Sequence, residues 1–180
     1  MGSDPILFLI QTIGQMYAFI VVMRFILQLS QADYYNPISQ AVVKLSNPPL
    51  RPLQKLLPRF NRVDVAALIL AIAVKALTIV LILAYQGATP SAVSLLIPPA
   101  FGVLDTILTI YFWAVLGSVI ISWVAPDSYH PGPELIKQIT QPLFSLAQRV
   151  IPPIGGLDLS PILIFIVIQL IQSQIRHLAF

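Results

Sequence analysis

Apolar residues fall in four long, nearly unbroken stretches, separated by two long polar segments and one short one. The stretches run from about Pro5 to Leu29, Val65 to Tyr85, Leu95 to Val124 and Pro161 to Leu178. Each is long enough to cross a hydrocarbon core, which takes about 20 apolar residues as a helix. Pro98-Pro99 interrupts the third near its start. In the long polar segments the pattern changes to spacings of three and four, the mark of amphipathic helices. Ile38, Ala41, Val42 and Leu45 share one face, and Leu50, Leu53, Leu56 and Leu57 share another, away from Lys44, Arg51, Gln54 and Lys55. Leu135, Ile136 and Ile139 do the same against Glu134, Lys137 and Gln138. The short helices expected within segments 37–58 and 131–152 are too short to span. They are predicted to lie in the interface plane, to pack on the protein's own end, or both. Pro48, Pro52, Pro58, Pro142 and Pro152 are expected to break them into short rods.

Shifting the chain by 94 residues aligns it with itself without a gap, from Asp4 on Pro98 to Gln86 on Phe180. Tyr17 falls on Tyr111, Pro37 on Pro131, Pro48 on Pro142, Gln54 on Gln148, Lys55 on Arg149 and Asp64 on Asp158. The matches gather at turn-forming and polar positions, where chance similarity between apolar helices would not put them. The shift is too long for a solenoid period. The expected fold is an all-α membrane protein with four transmembrane helices. They form two parallel two-helix repeats, 1–90 and 91–180, each with an amphipathic interfacial segment in its long loop.

Composition strengthens the membrane reading. Of 180 residues, 57% are hydrophobic and 9% charged, against roughly 25% charged in a soluble domain. The net charge of +3 gives no nucleic-acid footprint. With no Cys, and with His130 and His177 far apart, there is no disulfide framework and no ligand-like spacing for a metal. No cofactor is expected. Met1 to Pro5 lacks the basic region of a cleaved signal peptide, so the first stretch is expected to stay as a helix. The first long segment carries Lys44, Arg51, Lys55, Arg59 and Arg62, the second Lys137 and Arg149, and the short connection no Lys or Arg. The positive-inside rule then puts both long loops in the cytoplasm and both termini on the other side.

Punctuation marks where the chain re-enters the bilayer. Gly155-Gly156 permits a sharp turn before the fourth stretch. Ser160 is placed to cap that helix, Pro161 suits its first turn, and Asp158 favours the positive helix end. In the first half Asp64 takes the capping place, and Asn61 suits a left-handed turn. The pair Asn36-Pro37, the run Asn47-Pro48-Pro49-Leu50-Arg51-Pro52-Leu53-Gln54-Lys55-Leu56-Leu57-Pro58, and the run Pro152-Pro153-Ile154-Gly155-Gly156-Leu157-Asp158-Leu159-Ser160-Pro161 resemble the YggT family. That family includes bacterial YlmG proteins and plastid relatives, among them a cytochrome b6 maturation factor. The resemblance covers almost the whole chain and also takes in Arg24, Pro142 and Arg149. It implies an integral inner-membrane protein, and no enzyme activity follows from it. It also implies links to osmotic-stress tolerance, cell division and nucleoid organisation, and the assembly of membrane complexes. Where the family's second copy repeats an Arg-Pro pair and a double basic, this chain has Ser145-Leu146 and Gln148-Arg149.

Two charges lie well inside apolar stretches, Lys75 in the second and Asp105 in the third, whereas Arg24 and Arg176 lie near the ends of the first and fourth. A charge in the bilayer core costs several kcal/mol unless paired or hydrated. The shift places Gln169 on Lys75 and Asp105 on Gln11. Gln11, Lys75, Asp105 and Gln169 are therefore expected to form a polar layer near the pseudo-twofold axis, with Gln172 and Thr78 nearby. Such a layer acts as a clasp fixing helix register, or as a path or site for an ion or small solute. Arg24, near the cytoplasmic end of the first stretch, is expected to snorkel to lipid phosphates, with the capping of carbonyls as the alternative. Trp123 fits an interfacial anchor. No nucleophile, His pair or phosphate loop points to catalysis. The functional expectation is a scaffold or assembly factor acting through its basic loops. The alternative is an oligomeric channel or transporter subunit using the polar layer. Anionic lipid, a membrane-protein partner and further copies of the chain are the expected contacts.

Overall fold

The computed structural model describes residues 4–57, 63–126, 128–153 and 158–179, with side chains as far as Ile175. Among these, all regular structure is helical. The helices are α1 (Pro5–Leu29), α2 (Pro37–Leu56), α3 (Val65–Tyr85), α4 (Ala92–Val124), α5 (Pro131–Val150) and α6 (Ser160–Ala179). α1, α3 and α4 are long and apolar enough to cross a membrane, and α6 carries a shorter apolar run, Ser160–Ile175. Pro58, Arg59, Asn61, Arg62, Gly155 and Gly156, assigned to turns or to the basic surface, lie outside the described residues.

The helix starts follow local rules. The Asp4 carboxylate accepts from the Ile6 N–H, and Asn36 and Asp64 cap α2 and α3 in the same way. Each satisfies a donor that the first helical turn leaves open. Ser91 and Ser94 close a capping box at the start of α4. Pro5, Pro37 and Pro131 take first-turn positions, where a missing N–H costs nothing. At α6, the Asp158 carboxylate accepts from the Ser160 N–H at 2.9 Å, so Asp158 does the capping expected of Ser160.

The prolines do not break α2 or α5 into rods. α2 runs unbroken through Pro48, Pro49 and Pro52, and α5 through Pro142. α4 likewise continues through Pro98 and Pro99 and begins earlier than its apolar stretch suggests, at Ala92. An interior proline removes one N–H and crowds the carbonyl four residues back, at about 3 kcal/mol or more. In α2 a neighbouring helix makes good part of that loss. The Tyr17 hydroxyl donates to the Leu45 carbonyl, the one that Pro49 leaves without its helical partner (3.4 Å).

α1 packs chiefly on α3, α3 on α4, and α4 on α6, while α1 also touches α4. α2 and α5 lie across the shared end of these helices, α2 against α1 and α3, α5 against α4 and α6. Burial concentrates at that end. Val21, Val22 and Ile26 of α1 meet Leu50 of α2, Ala67 and Ala71 of α3, Val115 of α4, Ile139 of α5 and Ile164 of α6. Near the opposite end large apolar side chains stay exposed, among them Phe8, Leu9, Ile13, Leu77, Leu81 and Leu96. That surface suits a lipid solvent. There the Tyr85 hydroxyl donates to Asp4 at 2.9 Å and ties α3 to the start of α1. Between α1 and α3 the backbones come close at Gly14, where a Cβ would collide with the Thr78 side chain.

Candidate functional site

Two polar clusters lie where the collar helices α2 and α5 cross the ends of the long helices. They are built from positions 94 residues apart. In each, a carboxylate at the start of a long helix accepts from a collar glutamine: Gln54 to Asp64 at 2.8 Å, and Gln148 to Asp158 at 3.0 Å. In each, a hydroxyl midway along the collar helix donates back to its own backbone: Ser46 to the Val42 carbonyl, and Thr140 to the Ile136 carbonyl.

The change of largest consequence between them is at one position. In the first cluster Arg24 reaches from α1 to the Asn47 side-chain oxygen (3.0 Å), the Ser46 hydroxyl (3.3 Å) and the Val43 carbonyl (3.5 Å). Its Nε lies 4.0 Å from Asp64, with side chains 14% and 2% exposed. The guanidinium is thus spent on protein groups: the alternative expectation, contact with a carbonyl, is met at Val43, and the expectation of snorkelling to phosphate is corrected. Its five fixed donors match this set of acceptors better than water at an apolar boundary could. In the second cluster the corresponding residue is Ser118, too short to reach across. A cavity of about 500 Å³ opens there, lined by Ser118, Ser122, Thr140, Gln141, Gln148 and Asp158 among others. Burial pushes the Asp158 carboxyl up, but hydrogen bonds from Ser160 and Gln148 outweigh it and hold it below the ordinary carboxylate value.

The two collars are joined. The Asn36 side chain donates to the Pro131 carbonyl at 2.7 Å, and the Asp33 N–H donates to the Gln138 side chain at 2.8 Å. Lys44, Arg51, Lys55 and Arg149 remain exposed, as do Pro37, Pro48, Pro142 and Pro152. Among the described residues no group of His, Asp or Glu is arranged to hold a metal.

A protein-family model described as CCB3/YggT matches the chain twice, over residues 3–85 and 97–179. The chain belongs to the CCB3/YggT family. The two matched stretches are offset by 94 residues, the shift that superposes Gln54–Asp64 on Gln148–Asp158. An uncharacterised protein from Pseudomonas aeruginosa is 43% identical over 171 residues, 94% of this chain and 87% of that one. The uncharacterised YggT protein of Escherichia coli K12 is 29% identical over 177 residues, covering 97% and 90%. The uncharacterised ycf19 protein of Guillardia theta is 31% identical over 72 residues. That stretch is 39% of this chain and 79% of the ycf19 protein, which is thus about one CCB3/YggT repeat long. No solved structure matches. Nothing in these CCB3/YggT relatives points to an enzymatic activity.

Within the long helices, this family member places its charges differently from the expected layer. Lys75 and Asp105 are both half-buried, and the Lys75 stem runs over Gly102, where a Cβ would lie 3.0 Å from its Cδ and 3.4 Å from its Nζ. Asp105 accepts from Gln172 at 3.0 Å, and Gln172 also donates to the Thr109 hydroxyl at 3.1 Å. Gln169 and Gln11 are exposed and are not brought to this cluster. The reasons are geometric. Gln172, almost one turn beyond Gln169, holds the face that α6 turns to α4. α6 packs on α4 and α5 rather than on α1, so the polar positions of α1 and α6 do not converge. Thr109 was missed altogether. The signal for it was its spacing of four from Asp105.

Proposed function

We propose that the chain is a non-enzymatic membrane scaffold that crosses the bilayer four times, α6 included, and docks through the platform made by α2 and α5. The observation that carries this reading is the joined pair of collars. Asn36 and Asp33 bind them into one surface, while Lys44, Arg51, Lys55 and Arg149 point away from the core. The excess of Lys and Arg in the first long loop favours a cytoplasmic platform in a bacterial inner membrane, with both termini opposite. Each basic residue near an anionic surface contributes about 1 kcal/mol. The platform therefore fits anionic headgroups or the acidic face of a membrane-protein partner, and a role in assembly or stress tolerance follows from holding such a partner at the membrane. Reporter fusions at the two termini test the topology, and a cytoplasmic terminus overturns it. Hydrogen exchange of α2 and α5 in nanodiscs tests the docking. Exchange slows in anionic relative to neutral lipid, and changing Lys44, Arg51 and Lys55 together to Glu removes the difference. Equal exchange in both lipids defeats the lipid-docking form of the proposal.

One observation favours a second reading. The Lys75, Asp105, Thr109 and Gln172 group sits among apolar helices, where polar side chains line solute paths as well as clasps. Ion or solute flux through protein reconstituted in liposomes supports a channel subunit. A silent protein leaves the scaffold.

A further inference from the structure

We propose that the cavity of the second collar cluster is a binding site for a guanidinium group supplied from outside the chain. The first cluster shows what such a site holds. There a guanidinium rests on a carboxylate, an amide oxygen and a hydroxyl: Asp64, Asn47 and Ser46. The second cluster keeps an acceptor of each kind at the matching positions, Asp158, Gln141 and Thr140, and all three line the cavity. Ser118 removes only the built-in cation. Among the described residues none forms an ion pair with Asp158. Lys137 also lines the cavity, but its ammonium donates to the Pro126 carbonyl at 3.1 Å and is not the missing partner. Asp158 accepts one bond on each oxygen, from Ser160 and Gln148. A carboxylate has about four acceptor positions, so room for a guanidinium remains. Trp123 and Phe144 also line the cavity, and a guanidinium stacks on aromatic rings more readily than an ammonium does. The cavity opens outward, so the cation can arrive from solution or at the end of an arginine side chain of another polypeptide.

The site carries its own reporter. The chain has two tryptophans, both exposed, and replacing Trp113 by Phe leaves Trp123, at the cavity's rim, as the sole tryptophan, which is excited selectively over the tyrosines. In detergent, titration of this full-length protein with methylguanidinium gives a saturable change in Trp123 emission, and tetramethylammonium at equal ionic strength does not. Asp158→Asn, at an exposed carboxylate, weakens methylguanidinium binding by about tenfold or more. Ser118→Arg abolishes the response, because the protein fills its own site. Circular dichroism checks that both variants remain folded. A non-saturating response, or an Asp158→Asn protein that binds as well as the parent, overturns the proposal. A photo-crosslinker at Ser122 in native membranes then identifies the source. A discrete polypeptide adduct that Ser118→Arg suppresses assigns the group to a partner's arginine. Saturable binding of free arginine without such an adduct assigns it to a solute.

Discussion

Arg24 and Ser118 occupy the same place in two copies of one structural unit. Around Arg24 the neighbours close in: Ser46, Leu50 and Asp64 are fully buried, and α1, α2 and α3 are pinned at one point. Around Ser118 the matching Thr140 is still buried, but Phe144 is only half-buried and Asp158 is exposed. The long side chain is a strut in one copy, and its absence is a vacancy in the other. A duplicated fold can keep a polar constellation for structure in one half and leave it open in the other, because the first half already fixes the shared end.

The comparison can be broken most directly at its defining residue. Arg24→Ala leaves Asp64 buried without its cation and is expected to cost about 3 kcal/mol, the lower end of the penalty for breaking a buried pair. Ser118→Ala changes stability by less than about 0.5 kcal/mol. Unfolding of the solubilised protein in graded denaturing detergent measures both, and equal effects would erase the distinction between strut and vacancy. Asp64→Asn comes next, at about 2 kcal/mol, because it weakens a cap and an ion pair together. Asp158→Asn, at an exposed carboxylate, costs about 0.5 kcal/mol in the same assay. Tyr17→Phe is expected to cost about 1 kcal/mol by leaving the Leu45 carbonyl unanswered beside Pro49. Tyr111→Phe costs less, since the matching collar position after Ile139 is Leu143 rather than a proline.

Acid gives the smallest effect. The Asp158 carboxyl lies below its ordinary value in the folded chain. Its contribution is therefore present above the unfolded value, near pH 4, and fades as pH falls through the lower folded value. The parent should lose a little more stability than Asp158→Asn on going from about pH 5 to about pH 3. If the two proteins track each other across that range, the Gln148 and Ser160 hydrogen bonds do not favour the charged form.

The helices were legible because apolar run length and three-four spacing are local properties. α1 and α3 match their apolar stretches end to end. The carboxylate cap at Asp64 was legible for the same reason, as a neighbour of the helix it starts, whereas the α6 cap expected of Ser160 is supplied by Asp158. What stayed hidden depends on residues far apart in sequence. Nothing near Arg24 announces that Ser46 and Asn47, 22 and 23 residues on, will accept its protons. The unbroken course of α2 could not be read either, since proline argues for a break and only the tertiary contact from Tyr17 answers it. The polar layer was drawn from repeat symmetry, which α6 does not follow in its packing. The vacancy at Ser118 was present in the alignment of the two halves, but it gains meaning only once Arg24 is seen docked.

α4 carries a further consequence. Its 33 residues make a rod of about 50 Å, while a hydrocarbon core is about 30 Å thick. Tilt alone would have to exceed about 50° to hide the excess, beyond the range of about 0–40° seen for membrane helices. If α4 spans the bilayer as proposed, part of it would therefore protrude or strain the surrounding lipid. Ser118, Ser122 and Trp123 lie in its last two turns. In the four-span arrangement proposed above, the depth of their shared cavity would then depend on bilayer thickness.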